Sequence, residues 1–520
     1  MDKTQNKSPQ SVTADVRANE NVIKINDTAL LKKEQTKAPK ASEDDGKPKP
    51  NSTALLLELV KNGDFFHDEQ KKPYITIEHD NYVTTLEIDS KSFRDWLANE
   101  CWKVYGRLAN SQIVTDALQI MKGKACFEGR CLPVFTRIGS LNDKIYINLG
   151  DQQCHVVEVS ASGWVVLNKS PIKFKRTQCM NPLPIPTPGY GDINLLWQHL
   201  NVPERQRPLV LAWLIDCFIT NTPFPILVLM GRQGSGKSKA QDKLRHLVDP
   251  SVENLRNAPK YRDDILTSAA NNWLVSFNNV SNLTNDNQDD LCCLSTGGGF
   301  SKRRFFNDND EVVVSIKRPV ILNGIDDLVT RQDLLDRSVI ISLPEIDPKM
   351  RKTDVGLDSA FLKDYPAIFT GLLDALVAVL RILPTVQLSI KPRMADFAHV
   401  GAALEKAGIV PVGVFFDEYK KNYSDNMLAS LQASSVALVL IDYMKERQSI
   451  YSNYAGLLKA LDIYRPHRAS DWPSSPKDLA ATLKRLEPAL RFAAIFLRFD
   501  SKPKNNGYHV EVFNMNLYKE

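Results

Sequence analysis

The first 52 residues contain no aromatic side chain. They are largely Lys, Asn, Ser, Thr, Asp and Pro, which bury too little apolar surface to offset the entropy of ordering them. A disordered tail is expected there. Long apolar runs are also missing: residues 225–230 and 372–380 fall short of the roughly 18 to 20 residues that cross a bilayer. Met1-Asp2-Lys3 leads into polar sequence, not an apolar signal core, so a cytoplasmic protein without membrane contact is expected. Cysteine is scarce, 8 in 520 residues, too few for a disulfide scaffold. Cys126 and Cys131 lack a second Cys or His pair at zinc-finger spacing, and Cys154-His155 stands alone. Reduced thiols are expected there, not metal ligands. A dominant charge sign is absent too. With 66 basic against 61 acidic residues the net charge is +5, which does not by itself indicate a nucleic-acid partner.

What is present is an ordinary globular composition, 43% hydrophobic and 24% charged, in a chain long enough for several domains. Residues 53–185 read as an α+β domain. Helices are expected from residues 55–60 and over 93–104, and strands at 74–77, 82–88, 132–138, 144–149, 155–159 and 164–167. Glu87-x-Asp89 is the nearest approach to the acidic pair a primase needs, and it reads as a solvated strand face. Asn181-Pro-Leu-Pro-Ile-Pro-Thr-Pro-Gly189, with four Pro in nine residues, has the chemistry of a linker.

Beyond it, the apolar strand Phe224-Pro-Ile-Leu-Val-Leu-Met230 runs into Gly231-Arg-Gln-Gly-Ser-Gly-Lys-Ser238, and a helical stretch follows. This is the G-x-x-x-x-G-K-S phosphate loop in its strand–loop–helix setting. Gly231, Gln233, Gly234, Ser235 and Gly236 present backbone N–H groups to the phosphates of ATP, aided by the helix dipole. Lys237 reaches the β/γ-phosphates and Ser238 ligates Mg²⁺. A second strand, Asn272-Trp-Leu-Val-Ser-Phe277, ends in Asn278-Asn279 where Walker B chemistry wants a carboxylate to hold Mg²⁺ and polarise water. A third, Arg318-Pro-Val-Ile-Leu-Asn323, ends in Asn. A fourth follows Leu334-Leu-Asp-Arg337.

This order resembles the superfamily 3 helicases and the poxvirus-type helicase–primase ATPases. More closely, it resembles a family of ATP-binding, helicase- or primase-type proteins carried by phages and integrated mobile elements. Four segments carry the likeness: Asp289-Asp-Leu-Cys-Cys-Leu-Ser-Thr-Gly-Gly-Gly-Phe300, Arg318-Pro-Val-Ile-Leu-Asn-Gly-Ile325, Arg331-Gln-Asp-Leu-Leu-Asp-Arg337 and Pro392-Arg-Met-Ala-Asp-Phe-Ala398. It extends from about residue 65 to 423. The resemblance implies a P-loop (AAA+/superfamily 3-like) ATPase over residues 190–345, assembled as a homo-hexameric ring. Asn323 would be its sensor and Arg337 the finger reaching into the neighbouring subunit, with Arg331 as second choice. Against the finger stands a plain ion pair of Arg337 with Asp333 or Asp336. The family shows Asp-Asn where this chain has Asn278-Asn279, and Leu-Cys-Arg where it has Leu291-Cys292-Cys293. Asp289 or Asp290 is left to supply the missing carboxylate.

Gly297-Gly-Gly-Phe-Ser-Lys-Arg-Arg304, followed by an acidic run and an apolar strand, reads as a hairpin before the sensor. In the helicases it resembles, that element lines the ring channel, which makes Lys302, Arg303 and Arg304 candidates for single-stranded DNA. The alternative is a solvated basic turn pairing with the acidic run. Residues 346–430 are helix-rich and read as lid and neck. Residues 434–515 show three helices and then two strands, the order of a winged helix, with Ser475-Pro476 opening the third helix. Lys477, Lys484, Arg485, Lys502 and Lys504 are its candidate contacts to duplex DNA. Residues 434–520 hold 13 basic and 9 acidic residues, so most of the small net charge lies at this end.

Two functions fit: an ATP-dependent replication helicase, or a nucleotide-gated DNA-binding switch with little hydrolysis, favoured by Asn278-Asn279. A small-molecule kinase has only the phosphate loop in its favour.

Overall fold

The computed structural model describes residues 52–517 apart from residues 80, 282, 304–310, 325–328, 330, 390, 468, 470, 505 and 506. The expected tail lies outside the described residues except for Ser52, which opens the first helix. At the centre is a five-stranded parallel sheet. Its order is Arg256–Asn257, Val275–Asn278, Val320–Gly324, Ile226–Met230, Ser338–Ser342. A parallel sheet must be covered on both faces, and alternate residues of each strand show this. Leu227, Leu229, Ile321 and Ile341 enter one apolar cluster, while Ile226, Val228, Val320 and Leu322 enter another.

On the first face lie the helices Arg207–Asp216, Lys237–Val248, Asp354–Ile382 and Ala395–Lys406. Asp354–Thr385 is, by length and composition, long and apolar enough to cross a membrane. Runs of apolar residues separated by Lys363, Asp364 and Asp374 add up to that length. Its Ile368, Phe369, Leu372 and Leu376 are fully buried in this core. On the second face lie Arg262–Asn271 and Asn285–Thr296.

Among the described residues the amino-terminal part forms two four-stranded sheets, besides the short parallel pair Val134–Phe135 with Lys173–Phe174. Val83–Glu87, Pro73–Glu78, Asp64–His67 and Arg130–Cys131 form the first. The helices Ser52–Leu59, Lys91–Tyr105 and Ser111–Gly123 share a separate core with it through Leu56, Ile75, Phe93, Leu97, Leu118 and Met121. The second is an antiparallel meander of Ile138–Leu141, Lys144–Asn148, Val156–Ser160 and Gly163–Leu167. Its Ile138, Ile147, Val157 and Val159 belong to the same cluster as the phosphate-loop helix. The apolar core therefore runs across residue 185, where the sequence predicts a boundary. An ion pair seals the join: buried Arg137 donates from Nε to Asp249 Oδ1 at 2.9 Å.

The carboxy-terminal part contains the helices Ser435–Met444, Tyr454–Asp462 and Pro476–Phe492. The Ser475 hydroxyl accepts from the Asp478 amide at 3.2 Å, capping the last of these as its sequence implies. A strand not expected from sequence, Ser449–Asn453, pairs antiparallel with His509–Asn514, which pairs in turn with Ile495–Phe499. The first of the two expected strands begins at Ile495. The helix continues to Phe492, and Ala494 turns the chain at φ 58°. This part is not suspended on a linker. Val436, Leu440, Leu479 and Leu483 share the second apolar cluster with the central sheet.

Candidate nucleotide site

Strand Ile226–Met230 ends at the carboxyl edge of the sheet and the loop turns over it. Gly234 and Gly236 hold φ of 84° and 82°, conformations that side-chain-bearing residues rarely adopt. Lys237 then opens its helix, the first turn of which faces the loop. Its ammonium donates to the carbonyls of Gly231 (2.5 Å) and Arg232 (2.9 Å), and burial lowers its pKa. The Ser235 hydroxyl is buried without a protein partner. Glycine backbone at positive φ, an orphaned hydroxyl and a helix amino terminus are a donor set that fits a phosphate chain.

Around Ser238 the structure gathers residues from two strands and one helix. Ser238 Oγ donates to Asn278 Oδ1 at 2.8 Å. Asn323 Nδ2 donates to the same oxygen at 2.6 Å and also to Gln241 Oε1. The Asn279 amide donates to Asn323 Oδ1 at 2.8 Å, with Asn279 itself at φ 51°. Gln241 in turn donates to Ser276 Oγ (2.8 Å) and Phe277 O (3.1 Å). Asn323 is wholly buried, and both of its N–H donors and one of its two oxygen lone pairs are taken. Its route to any bound group runs through Asn278.

Gln241 was not expected. It lies four and three residues beyond Lys237 and Ser238, on their helical face. A polar residue there in a charged helix reads from sequence as solvent-facing.

The oxygens of Ser238 and Asn278 fit a hard cation such as Mg²⁺ in kind, though both are neutral. Neither Asp289 nor Asp290 is tied to Ser238. Asp290 pairs with Arg262 at 3.0 Å and Asp289 with Arg331 at 3.1 Å. Burial raises the Asp290 pKa, and Arg262 works against that shift.

Arg337 lies at the other end of the sheet. Its carbonyl accepts from the Ile226 amide, at the start of the strand whose far end leads into Gly231. Five strand residues put roughly 15 Å between them. Its guanidinium donates to Asp333 O at 2.7 Å and lies 3.5 Å from Asp333 Oδ1. Arg393 takes the same carboxylate at 3.2 Å and Asp336 at 3.1 Å.

Two family models match the chain. Residues 193–425 match the actinomycete integrative conjugative element replication protein, and residues 436–511 match the carboxy-terminal domain of the same protein. Together they span more than half of the chain. The chain belongs to this family of mobile-element replication proteins. No curated protein matches it individually. Among solved structures it is similar to the NrS-1 C-terminal region, at 13% identity over 89% of this chain and 100% of that one, TM-score 0.38. It is also similar to SCCmec type IV Cch, an active helicase, at 13% over 87% and 92%, TM-score 0.43. JCV helicase follows at 15% over 45% and 64%, TM-score 0.24. With TM-scores below 0.5, these add nothing to the architecture described above.

In this replication protein the first basic candidates lie on an antiparallel pair, Gly299–Arg303 with Glu311–Ser315. Its register sets Lys302 opposite Val312 and Arg303 opposite Glu311. Arg304 lies outside the described residues. The second matched region carries Lys477, Lys484, Arg485, Lys502 and Lys504, all exposed. Lys477 and Lys484 flank a groove of about 590 Å³ between the helix Pro476–Phe492 and the strand-connecting loop, with Pro476, Ala480 and Tyr508. Lys504 is engaged: its ammonium contacts the Tyr451 hydroxyl and lies 3.4 Å from Asp500.

Proposed function

We propose that the chain is an ATP-driven, helicase-type motor in the replication of its mobile element. In this reading residues 190–345 are a P-loop ATPase core, residues 346–430 its lid and neck, and residues 434–515 a DNA-binding winged helix. The observation that carries the reading is the convergence of Lys237, Ser238, Asn278 and Asn323 on one edge of the parallel sheet. Lys237 exchanges the loop carbonyls for phosphate oxygens. Ser238 and Asn278 hold Mg²⁺, which neutralises charge on those oxygens. Asn323, clamped by Asn279 and Gln241, fixes the Asn278 oxygen in place. Arg337 stands too far from its own loop to act there, which supports action on a neighbouring subunit in a homo-hexameric ring. Single-stranded DNA would follow the hairpin carrying Lys302, Arg303 and Arg304. Duplex DNA would meet Lys477, Lys484, Arg485, Lys502 and Lys504.

A second reading, a nucleotide-gated DNA-binding switch, is favoured by the neutral Asn278 in place of a carboxylate. Turnover of ATP by purified protein, with and without single-stranded DNA, separates the two. DNA-stimulated turnover that disappears in Lys237→Ala supports the motor. Tight ATP binding with no turnover supports the switch, and no ATP binding at all defeats both.

A further inference from the structure

The residues after the edge strand Ser338–Ser342 form a strap along the phosphate loop. Leu343 donates its amide to Met230 O at 2.8 Å, and Ile346 donates to Gly234 O at 3.3 Å. Asn201 Nδ2 pins both partners at once, donating to Ser235 O (3.0 Å) and Pro344 O (2.7 Å). The strap ends at Arg351, whose guanidinium comes back over the loop. A Cβ built on Gly234 would lie 2.6 Å from Arg351 Nη2, and one on Gly236 would lie 3.3 Å from Ile346 Cδ1. A side chain at position 234 would therefore displace Arg351.

Resting on the nucleotide-site reading above, we infer that Arg351 contacts the phosphates of the nucleotide bound by its own subunit. The two lysines that open the helix after the loop are committed. Lys237 is folded onto the loop carbonyls, and Lys239 is paired with Asp358 at 3.0 Å and Asp354 at 3.6 Å. Among the described residues Arg351 has only a long ion pair, 3.8 Å to Glu345, and is about half exposed. That separation is too great for a hydrogen bond. Phosphate oxygens offer the planar guanidinium two short, charge-assisted bonds, which Glu345 does not provide at this distance. Arg351 and Arg337 would thus serve one nucleotide from two subunits. Arg351 acts within its own subunit, on a strap hydrogen-bonded to the loop, while Arg337 acts across the interface.

The test is ATP affinity of full-length protein, measured by fluorescence of a labelled ATP at concentrations where sedimentation shows single subunits. Arg351→Met keeps most of the side-chain volume and removes the charge, and Arg351→Lys keeps the charge. The expected result is a loss of affinity of about tenfold or more for Arg351→Met, with Arg351→Lys closer to wild type and Lys237→Ala not binding. Wild-type affinity in Arg351→Met overturns the inference. A loss seen only in assembled rings also overturns it, because the contact is then between subunits. Failure of the wild type itself to bind ATP would instead remove the nucleotide-site reading on which the inference stands.

Discussion

The hydroxyl of Ser238 donates to the side-chain oxygen of Asn278 at 2.8 Å, and this oxygen also accepts from Asn323 at 2.6 Å. Two donors thus aim at one atom, at a strand end where Walker B chemistry would want a carboxylate. Asn278→Asp would place a negative charge between them without changing shape, and both donors favour the ionised form. Mg²⁺ dependence of ATP binding should tighten by about tenfold or more, and turnover should rise. A magnesium titration of Asn278→Asp against wild type decides it. Superimposable curves would mean that this position does not limit the reaction.

Arg137 carries the join between the meander and the parallel-sheet core. Besides Asp249 it donates to the carbonyls of Asn148, Leu149, Asn181 and Pro250. Asp249 Oδ2 accepts from the amides of Trp273 (2.7 Å) and Leu274 (3.1 Å). Removing one partner of such a buried pair leaves the other charge uncompensated, at a cost of about 3–5 kcal/mol. Arg137→Ala should lower unfolding stability by that order in denaturant titration, with the loss reported by both the meander and the parallel-sheet core. A loss confined to residues before 185 would show that the two parts fold separately.

These two sites also show what sequence can disclose. The phosphate loop was legible because its glycine spacing and its place after an apolar strand are local and chemically demanding. The cap at Ser475 was legible for the same reason. Gln241 and Arg137 were not, since Ser276 lies 35 residues from the first and Asp249 112 residues from the second, and nothing local separates a buried polar side chain from a solvated one. The strand Ser449–Asn453 was missed because Ser-Ile-Tyr-Ser-Asn is short and polar, and only pairing with His509–Asn514 makes it a strand. The hydroxyl, amides and lysine of the site were named in advance. Their mutual hydrogen bonds required the fold.

Asp216 gives a prediction in pH. It is fully buried, its Oδ2 has no partner, and burial holds its pKa well above the usual carboxylate value. The unfolded chain releases this proton above about pH 4, while the folded chain retains it. Its stabilising contribution is therefore full below that pH and is lost as pH rises toward the folded pKa. Asp216→Asn removes the titrating group. Thermal melts of wild type should fall between pH 5 and pH 8 by more than those of Asp216→Asn. Parallel pH profiles for the two proteins would refute the assignment.

The basic face of the carboxy-terminal part should reveal itself through salt. Lys477 and Lys484 are seven residues apart on one helical face and share the groove with Tyr508. If each neutralises a phosphate, Lys477→Ala and Lys484→Ala should each reduce the slope of log affinity against log salt by about 1. Lys504→Ala should change it less, because Asp500 already answers that charge. Duplex-binding isotherms between 50 and 200 mM salt (about a fourfold range, enough to resolve the slope) make the comparison. Equal effects at all three positions would deny the groove a special role.

Arg337 is held by Asp333, and Asp333 also holds Arg393. Withdrawing Arg337 toward a neighbour's nucleotide would leave Asp333 satisfied by Arg393, so the movement exposes no bare carboxylate. Arg337→Ala should retain ATP binding and lose turnover by about 10³-fold or more. The stronger test mixes two inactive proteins. Lys237→Ala subunits lack a working loop but keep Arg337, and Arg337→Ala subunits have the reverse. If Arg337 acts across the interface, mixed assemblies contain sites with an intact Lys237 on one side and an intact Arg337 on the other. Turnover should then reappear on mixing and scale with the fraction of such neighbours. Mixtures that stay silent, although they assemble together, would return Arg337 to a structural ion pair with Asp333.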